Sequence, residues 1–209
     1  MVSARLPLLL GAIVLVALVG SFIHPYDRGT WLAETAPVFI AAPILIFTWR
    51  RFPLTNLLYV LIALHALVLI VGGAYTYARV PLGFWIQDVF GFARNPYDRI
   101  GHFVQGFVPA LIAREVLLRN RFLTNKAMTN FLCGCVALAV SAAYELVEWA
   151  SAVMAGGGAV DFLGTQGDPW DAQGDMLMAL IGATIALVTM TRLQDREIEA
   201  VERRRAAGG

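Results

Sequence analysis

Asp98, His102 and Gln105 follow one another at intervals of four and three residues, so on a helix they share one face. Glu145 and Glu148 lie three apart and Asp171 and Asp175 four apart, and each pair likewise shares a face. All of them sit in or at the edge of long apolar blocks, where ionisable side chains are expensive and mark a site or an internal pair. Two carboxylates one turn apart repel unless they are protonated, paired with a cation or bound to a metal. A neutral histidine with carboxylates suits zinc or a harder divalent ion. His102, Glu148, Asp171 and Asp175 are therefore candidate metal ligands, and Glu145 and Glu148 candidate catalytic carboxylates. Arg99 and Gln105 are candidates to hold an anionic or polar substrate. Asp98 and Asp168 are read as capping residues or as groups that orient His102.

Structural explanations compete with each of these. Asp98 and Asp171 fall in the first turn of their helices, where a carboxylate satisfies free N–H groups and the helix dipole. Asp168, followed by Pro169, suits a helix cap, as does Asn95 followed by Pro96. Arg99 can snorkel or pair with a neighbouring acid, and His102 can be a hydrogen-bonded interior histidine. Glu145 and Glu148 are harder to explain structurally because of their mutual repulsion, and Asp175 lies too far past the helix start to be a cap.

The elements that must position these residues are membrane helices. The chain has 209 residues, 58% hydrophobic and only 15% charged, against about 25% charged in a typical soluble domain. Its apolar residues come in blocks at 6–23, 32–49, 57–75, 100–117, 131–154 and 176–193. An apolar run of roughly 18 residues is long enough to span a bilayer. The expected fold is an all-α polytopic bundle of about six transmembrane helices, one membrane domain over 1–193 with a charged cytoplasmic tail over 194–209. The tail should extend the last span briefly as an exposed helix. The first block reads as an uncleaved span, because no small-x-small cleavage site precedes Ser21. A net charge of +1 argues against nucleic acid as a partner. Cys133 and Cys135 read as small buried residues, since two soft ligands alone make a poor metal site.

Between the third and fourth blocks, Leu82, Trp85, Ile86, Val89 and Phe90 recur at the spacing of one helix face behind Pro81. A short interfacial helix over 81–92 is expected. Ala179, Gly182 and Ala183 in the last span permit close helix approach.

Orientation follows from the basic residues of the short loops. Arg5, Arg50, Arg51, Arg114, Arg119, Arg121, Lys126, Arg192, Arg196, Arg203, Arg204 and Arg205 fall on one side, twelve of the 16; Arg28, Arg79, Arg94 and Arg99 fall on the other. Both termini are then cytoplasmic, and the fourth and sixth spans enter from outside. At about 1.5 Å per residue, His102 lies roughly 9 Å past Pro96, and Asp175 the same distance past Pro169. Glu148 lies roughly 12 Å before Gly156–Gly158. Three helices thus bring His, Glu and Asp to a similar depth under the outer face.

Three stretches carry a family resemblance: Tyr97-Asp98-Arg99-Ile100-Gly101-His102-Phe103-Val104-Gln105-Gly106, Tyr144-Glu145-Leu146-Val147-Glu148-Trp149, and Gly164-Thr165-Gln166-Gly167-Asp168-Pro169-Trp170-Asp171-Ala172-Gln173-Gly174-Asp175-Met176. Together they resemble the YjdF-type family of uncharacterised bacterial inner-membrane proteins, over most of the chain. That resemblance implies a multi-pass protein of the bacterial inner membrane and supplies no reaction. More distantly, the layout is similar to VanZ-like proteins, tied to glycopeptide resistance, though an Asn of the last VanZ-like motif has no equivalent here.

Three functional readings follow. In one, the polar pocket near the outer face binds a lipid, drug or partner or fixes helix packing. In another, the protein is a membrane-embedded enzyme that uses a divalent metal such as zinc on a lipid or lipid-linked substrate. In the third it is a proton-coupled transporter, which needs a polar path through spans one to three; those spans carry almost no charge. Partners are the lipid bilayer and a lipid or lipid-linked small molecule.

Overall fold

The computed structural model describes residues 4–154 and 166–207. Among these residues the chain is entirely helical: α1 (Arg5–Ile23), α2 (Arg28–Thr48), α3 (Asn56–Tyr75), α4 (Pro81–Phe90), α5 (Tyr97–Arg119), α6 (Lys126–Met154), α7 (Asp171–Thr189) and α8 (Thr191–Ala207). The six expected spans correspond to α1, α2, α3, α5, α6 and α7. All but α5 are both long enough and apolar enough to cross a membrane. At 23 residues α5 has the length of a span, but it is the polar helix of the bundle and nearly half of it is buried. It packs against α3, α6 and α7, so its polar groups face protein rather than lipid. Large apolar side chains such as Leu8, Val16, Ile46 and Phe47 are exposed on the outer helices, as a hydrocarbon solvent requires.

Caps set the helix ends. Asp27 starts α2 by accepting from the Thr30 N–H at 2.7 Å, and Thr55 starts α3 by accepting from Leu58 N–H at 3.4 Å. The α5 start differs from expectation by one residue. Pro96 occupies the cap position, and Asn95 accepts the Tyr97 N–H at 3.0 Å from just outside the helix. Asp168 behaves similarly, accepting the Trp170 N–H at 2.9 Å before α7 begins at Asp171.

α4 is the expected short helix, with Pro81 in its first turn and Gly91 ending it in the left-handed region at φ 67°. Leu82, Trp85, Val89 and Phe90 are exposed along it, while Gly83 sits against the Asn95 side chain.

α5 and α7 run parallel. Their first turns meet through Arg99 and Asp171, further along Leu111 of α5 packs with Ala186 of α7, and beyond the end of α7 Arg114 Nη1 donates to Gln194 Oε1 of α8 at 3.0 Å. Midway they approach closely. A Cβ on Gly106 would lie 1.8 Å from the Ala179 carbonyl oxygen, and one on Gly182 would lie 2.0 Å from that of Phe103. Gly182 therefore packs the sixth span onto the fourth.

Two further expectations are corrected at the far end. Arg114, counted above as a loop cation, is buried inside α5, donating to Asn130, Gln194 and Asp195. The tail is not simply exposed, because Gln194, Ile198 and Val201 are buried along α8. Cys133 is buried as expected, whereas Cys135 is exposed.

Candidate functional site

The first turns of α5 and α7 and the last turns of α6 converge at one end of the bundle. The Gly156–Gly158 reference used for the depth of Glu148 lies outside the described residues. On α5, His102 Nε2 is 3.7 Å from Asp98 Oδ1, one turn back. Across the interface it is 3.5 Å from Glu145 Oε1 of α6. Asp98, His102 and Asp175 each offer a ligating atom within 4.8 Å of the others, and all three are buried. Among the described residues, this is the group of His and carboxylate side chains close enough together that it could hold a metal ion after small adjustments.

Arg99 ties α5 to α7. Its Nη1 is 3.0 Å from Asp175 Oδ1, and its Nη2 is 3.3 Å from Asp171 Oδ1 and 3.2 Å from Asp168 Oδ2. Its guanidinium lies where any side chain on Gly174 would have to be, 1.9 Å from an added Cβ. Arg94 reaches the same acids, 2.5 Å from Asp171 Oδ1 and 3.8 Å from Asp168 Oδ2. Asp168 and Asp171 are thus occupied by the two arginines. Gln105, one turn beyond His102, is buried with its Oε1 unpartnered. Glu148 is half-buried, with Asp98, Glu34, Glu145 and Asp175 as its charged neighbours.

Hydrogen bonding in this cluster is incomplete. His102 Nδ1, Glu145 Oε1 and Asp175 Oδ1 are buried without a hydrogen-bond partner, although Asp175 keeps its ion pair with Arg99. Buried polar atoms are normally paired, so these atoms stand out from the rest of the bundle. At the opposite end of α5, Glu115 accepts from Thr55 N–H at 3.0 Å, Thr55 Oγ1 at 2.7 Å and Arg119 Nη1 at 2.8 Å. Both of its oxygens are occupied, and that network is a structural tie.

The sequence reading passed over Glu34. It is buried in α2, and its Oε2 accepts from the Tyr144 hydroxyl at 2.5 Å, joining α2 to α6. The Tyr144 ring stands edge-on to His102 with centroids 6.2 Å apart. A lone glutamate near the start of an apolar span was the available signal. Asn95 and Gln166 exchange two hydrogen bonds, at 3.1 and 3.0 Å, and so tie the α4–α5 loop to the approach to α7.

The sequence motifs and the membrane-helix architecture agree with a family match. The family model described as "Predicted membrane protein (DUF2238)" matches residues 6–196, nearly the whole chain. The chain belongs to this membrane protein family. It is 54% identical over 176 residues to the inner membrane protein YjdF of Escherichia coli (strain K12), covering 84% of each chain. No solved structure matches. These relationships supply no ligand or reaction, so the chemistry of the site rests on its geometry.

Proposed function

We propose that the cluster of Asp98, His102 and Asp175 binds a divalent cation and presents it to a polar or anionic ligand near the outer face of the bacterial inner membrane. The carrying observation is the convergence of three ligating atoms within 4.8 Å beside buried, unpartnered atoms of His102, Glu145 and Asp175. One imidazole and two carboxylates leave coordination positions open for water or a ligand, as at sites that act on substrates. Glu145, 3.5 Å from His102, stands beside the cation as a further ligand or a base. Glu148 adds a further carboxyl group beside Glu145 on α6, and Arg94 and Arg99 flank the site as anion contacts. The outward placement rests on the basic-residue asymmetry, and the choice of membrane on the name of the E. coli relative.

A second reading is that the cluster is helix glue without a metal. It draws on Arg99, which already pairs with Asp168, Asp171 and Asp175 across the α5–α7 interface. Transport is less well supported, because the space below Gln105 is walled mainly by apolar residues such as Val38, Ile62 and Val108. Elemental analysis of protein purified without chelator separates the first two readings. The cation reading expects near-stoichiometric zinc or manganese, lost in Asp175→Asn while the helical circular dichroism persists. Metal-free protein that binds none on titration leaves the glue reading.

A further inference from the structure

Below the cluster, a cavity of about 510 Å³ separates α2 from α5 and α6. α2 packs along α3 and not along α5 or α6. Pro37 and Val38 of α2, Leu69 of α3, and Val108 and Ile112 of α5 line the gap. The cavity follows α5 from Gln105 to Asn120, about 22 Å of helix. One leaflet of a bilayer core is about 15 Å deep, half of the roughly 30 Å total, so the cavity is long enough for an extended hydrocarbon chain.

One end of this apolar space is polar. His65 Nε2 and Gln105 Oε1 are buried there without hydrogen-bond partners, and Gln105 is only 8% exposed. Tyr144 also lines the cavity, while its hydroxyl bonds Glu34 and its ring faces His102. Tyr144 and Gln105 therefore stand between the polar end of the cavity and the cluster. A long apolar body ending in one polar group is the shape of a lipid. A water-filled cavity would need polar partners along its length, and between the polar end and Thr48 and Asn120 at the far end the walls of this one are mainly hydrocarbon.

We infer that the gap between α2 and α5/α6 holds one hydrocarbon chain of a membrane lipid whose phosphate-bearing head reaches the Asp98–His102–Asp175 cluster, an inference that rests on the cation reading for its head-group half. In that pose the lipid's linkage region partners His65 and Gln105. Its phosphoryl oxygens take the open positions of the cation and the guanidinium of Arg99. The Glu34–Tyr144 hydrogen bond closes the top of the gap between α2 and α6 and must open or shift for the head group to pass.

The test reconstitutes the full chain in phosphatidylcholine nanodiscs with a phosphatidic acid carrying a diazirine on one acyl chain. An equally tagged diacylglycerol serves as the probe without phosphate. After illumination, adducts are mapped by mass spectrometry, and the metal content of the same preparation is measured. The expected adducts fall on the cavity walls of α2 and α5, more strongly with phosphatidic acid than with diacylglycerol, and the difference disappears with EDTA. Ala41→Trp fills the cavity and abolishes wall adducts with metal content unchanged; Ile112→Trp does the same from α5 if the first variant does not fold. Adducts confined to outward residues such as Val16 and Ile46, in protein that holds its cation, overturn this inference alone. Wall adducts without preference for phosphate overturn the head-group assignment, and wall adducts in protein that binds no cation overturn the cation reading with it.

Discussion

Arg99 Nη1 stands 3.0 Å from Asp175 Oδ1, joining the first turns of two parallel helices over the backbone of Gly174. The absence of a side chain at 174 is what lets the guanidinium reach α7. Gly174→Val should push the flexible Arg99 side chain aside and remove its pairing. Breaking a buried pair costs about 3–5 kcal/mol and an exposed one under about 1, so a loss of about 1–3 kcal/mol is expected for this partly exposed arginine. Denaturation in detergent micelles measures it. Adding Arg99→Gln to Gly174→Val should change little further, because both remove the same interaction. Fully additive losses would show that Arg99 does not depend on Gly174.

Gly182 meets backbone, which cannot step aside. Gly182→Leu should destabilise the bundle by at least the usual overpacking range of about 1–3 kcal/mol, by forcing α7 away from Phe103. Gly134→Leu is the control, since a Cβ there meets nothing within 4 Å. Equal stability of the two variants would contradict the close α5–α7 approach.

Asp195 lies beyond the membrane spans, where Arg114 Nη2 is 2.7 Å and Lys126 Nζ 3.2 Å from its carboxylate. Partial burial pushes its pKa up, but the hydrogen bonds and charges of Arg114 and Lys126 outweigh this and hold it below the ordinary carboxylate value. A carboxylate whose folded-state pKa is depressed adds stability above its unfolded value, and that stability is lost as pH falls through the folded value. Hydrogen exchange should find α8 protected from neutral pH down to about 4, the ordinary aspartate value, and loosening below it. Asp195→Asn should remove that pH dependence. An α8 whose protection falls equally in both proteins would place its anchor elsewhere.

Reporter fusions test the orientation. Fusions after Ser21 should read as external, and fusions after Arg51 and Asn125 as cytoplasmic. An external signal at Asn125 would put the His102 end of the bundle at the cytoplasmic face.

Much of the fold was legible because lipid permits few backbone solutions, so long apolar blocks translate into spans. The helix-face spacing of Leu82, Trp85 and Val89 likewise exposed α4. The site was legible only as a set of faces. Spacing placed Asp98 and His102 together but did not reveal that Asp98, read as a cap, would stand with His102 and Asp175. It marked Gly182 as a packing residue without naming Phe103 as its neighbour. Glu34 has no partner near it in the chain, since Tyr144 lies 110 residues away, so its role emerges only once α2 and α6 are side by side. Arg114, though inside the 100–117 block, counted with the loop cations because the α8 partners that bury it lie 80 and 81 residues away in the chain.

The proposed cation site at Asp98, His102 and Asp175 is tested most directly by anomalous X-ray diffraction at the zinc edge, on crystals of the full chain grown with zinc. One strong peak is expected about 2.0–2.2 Å from a His102 nitrogen and from carboxylate oxygens of Asp98 and Asp175, absent in His102→Ala crystals. A zinc-soaked crystal with no peak at this cluster, and with Arg99 still bridging Asp171 and Asp175, would contradict it.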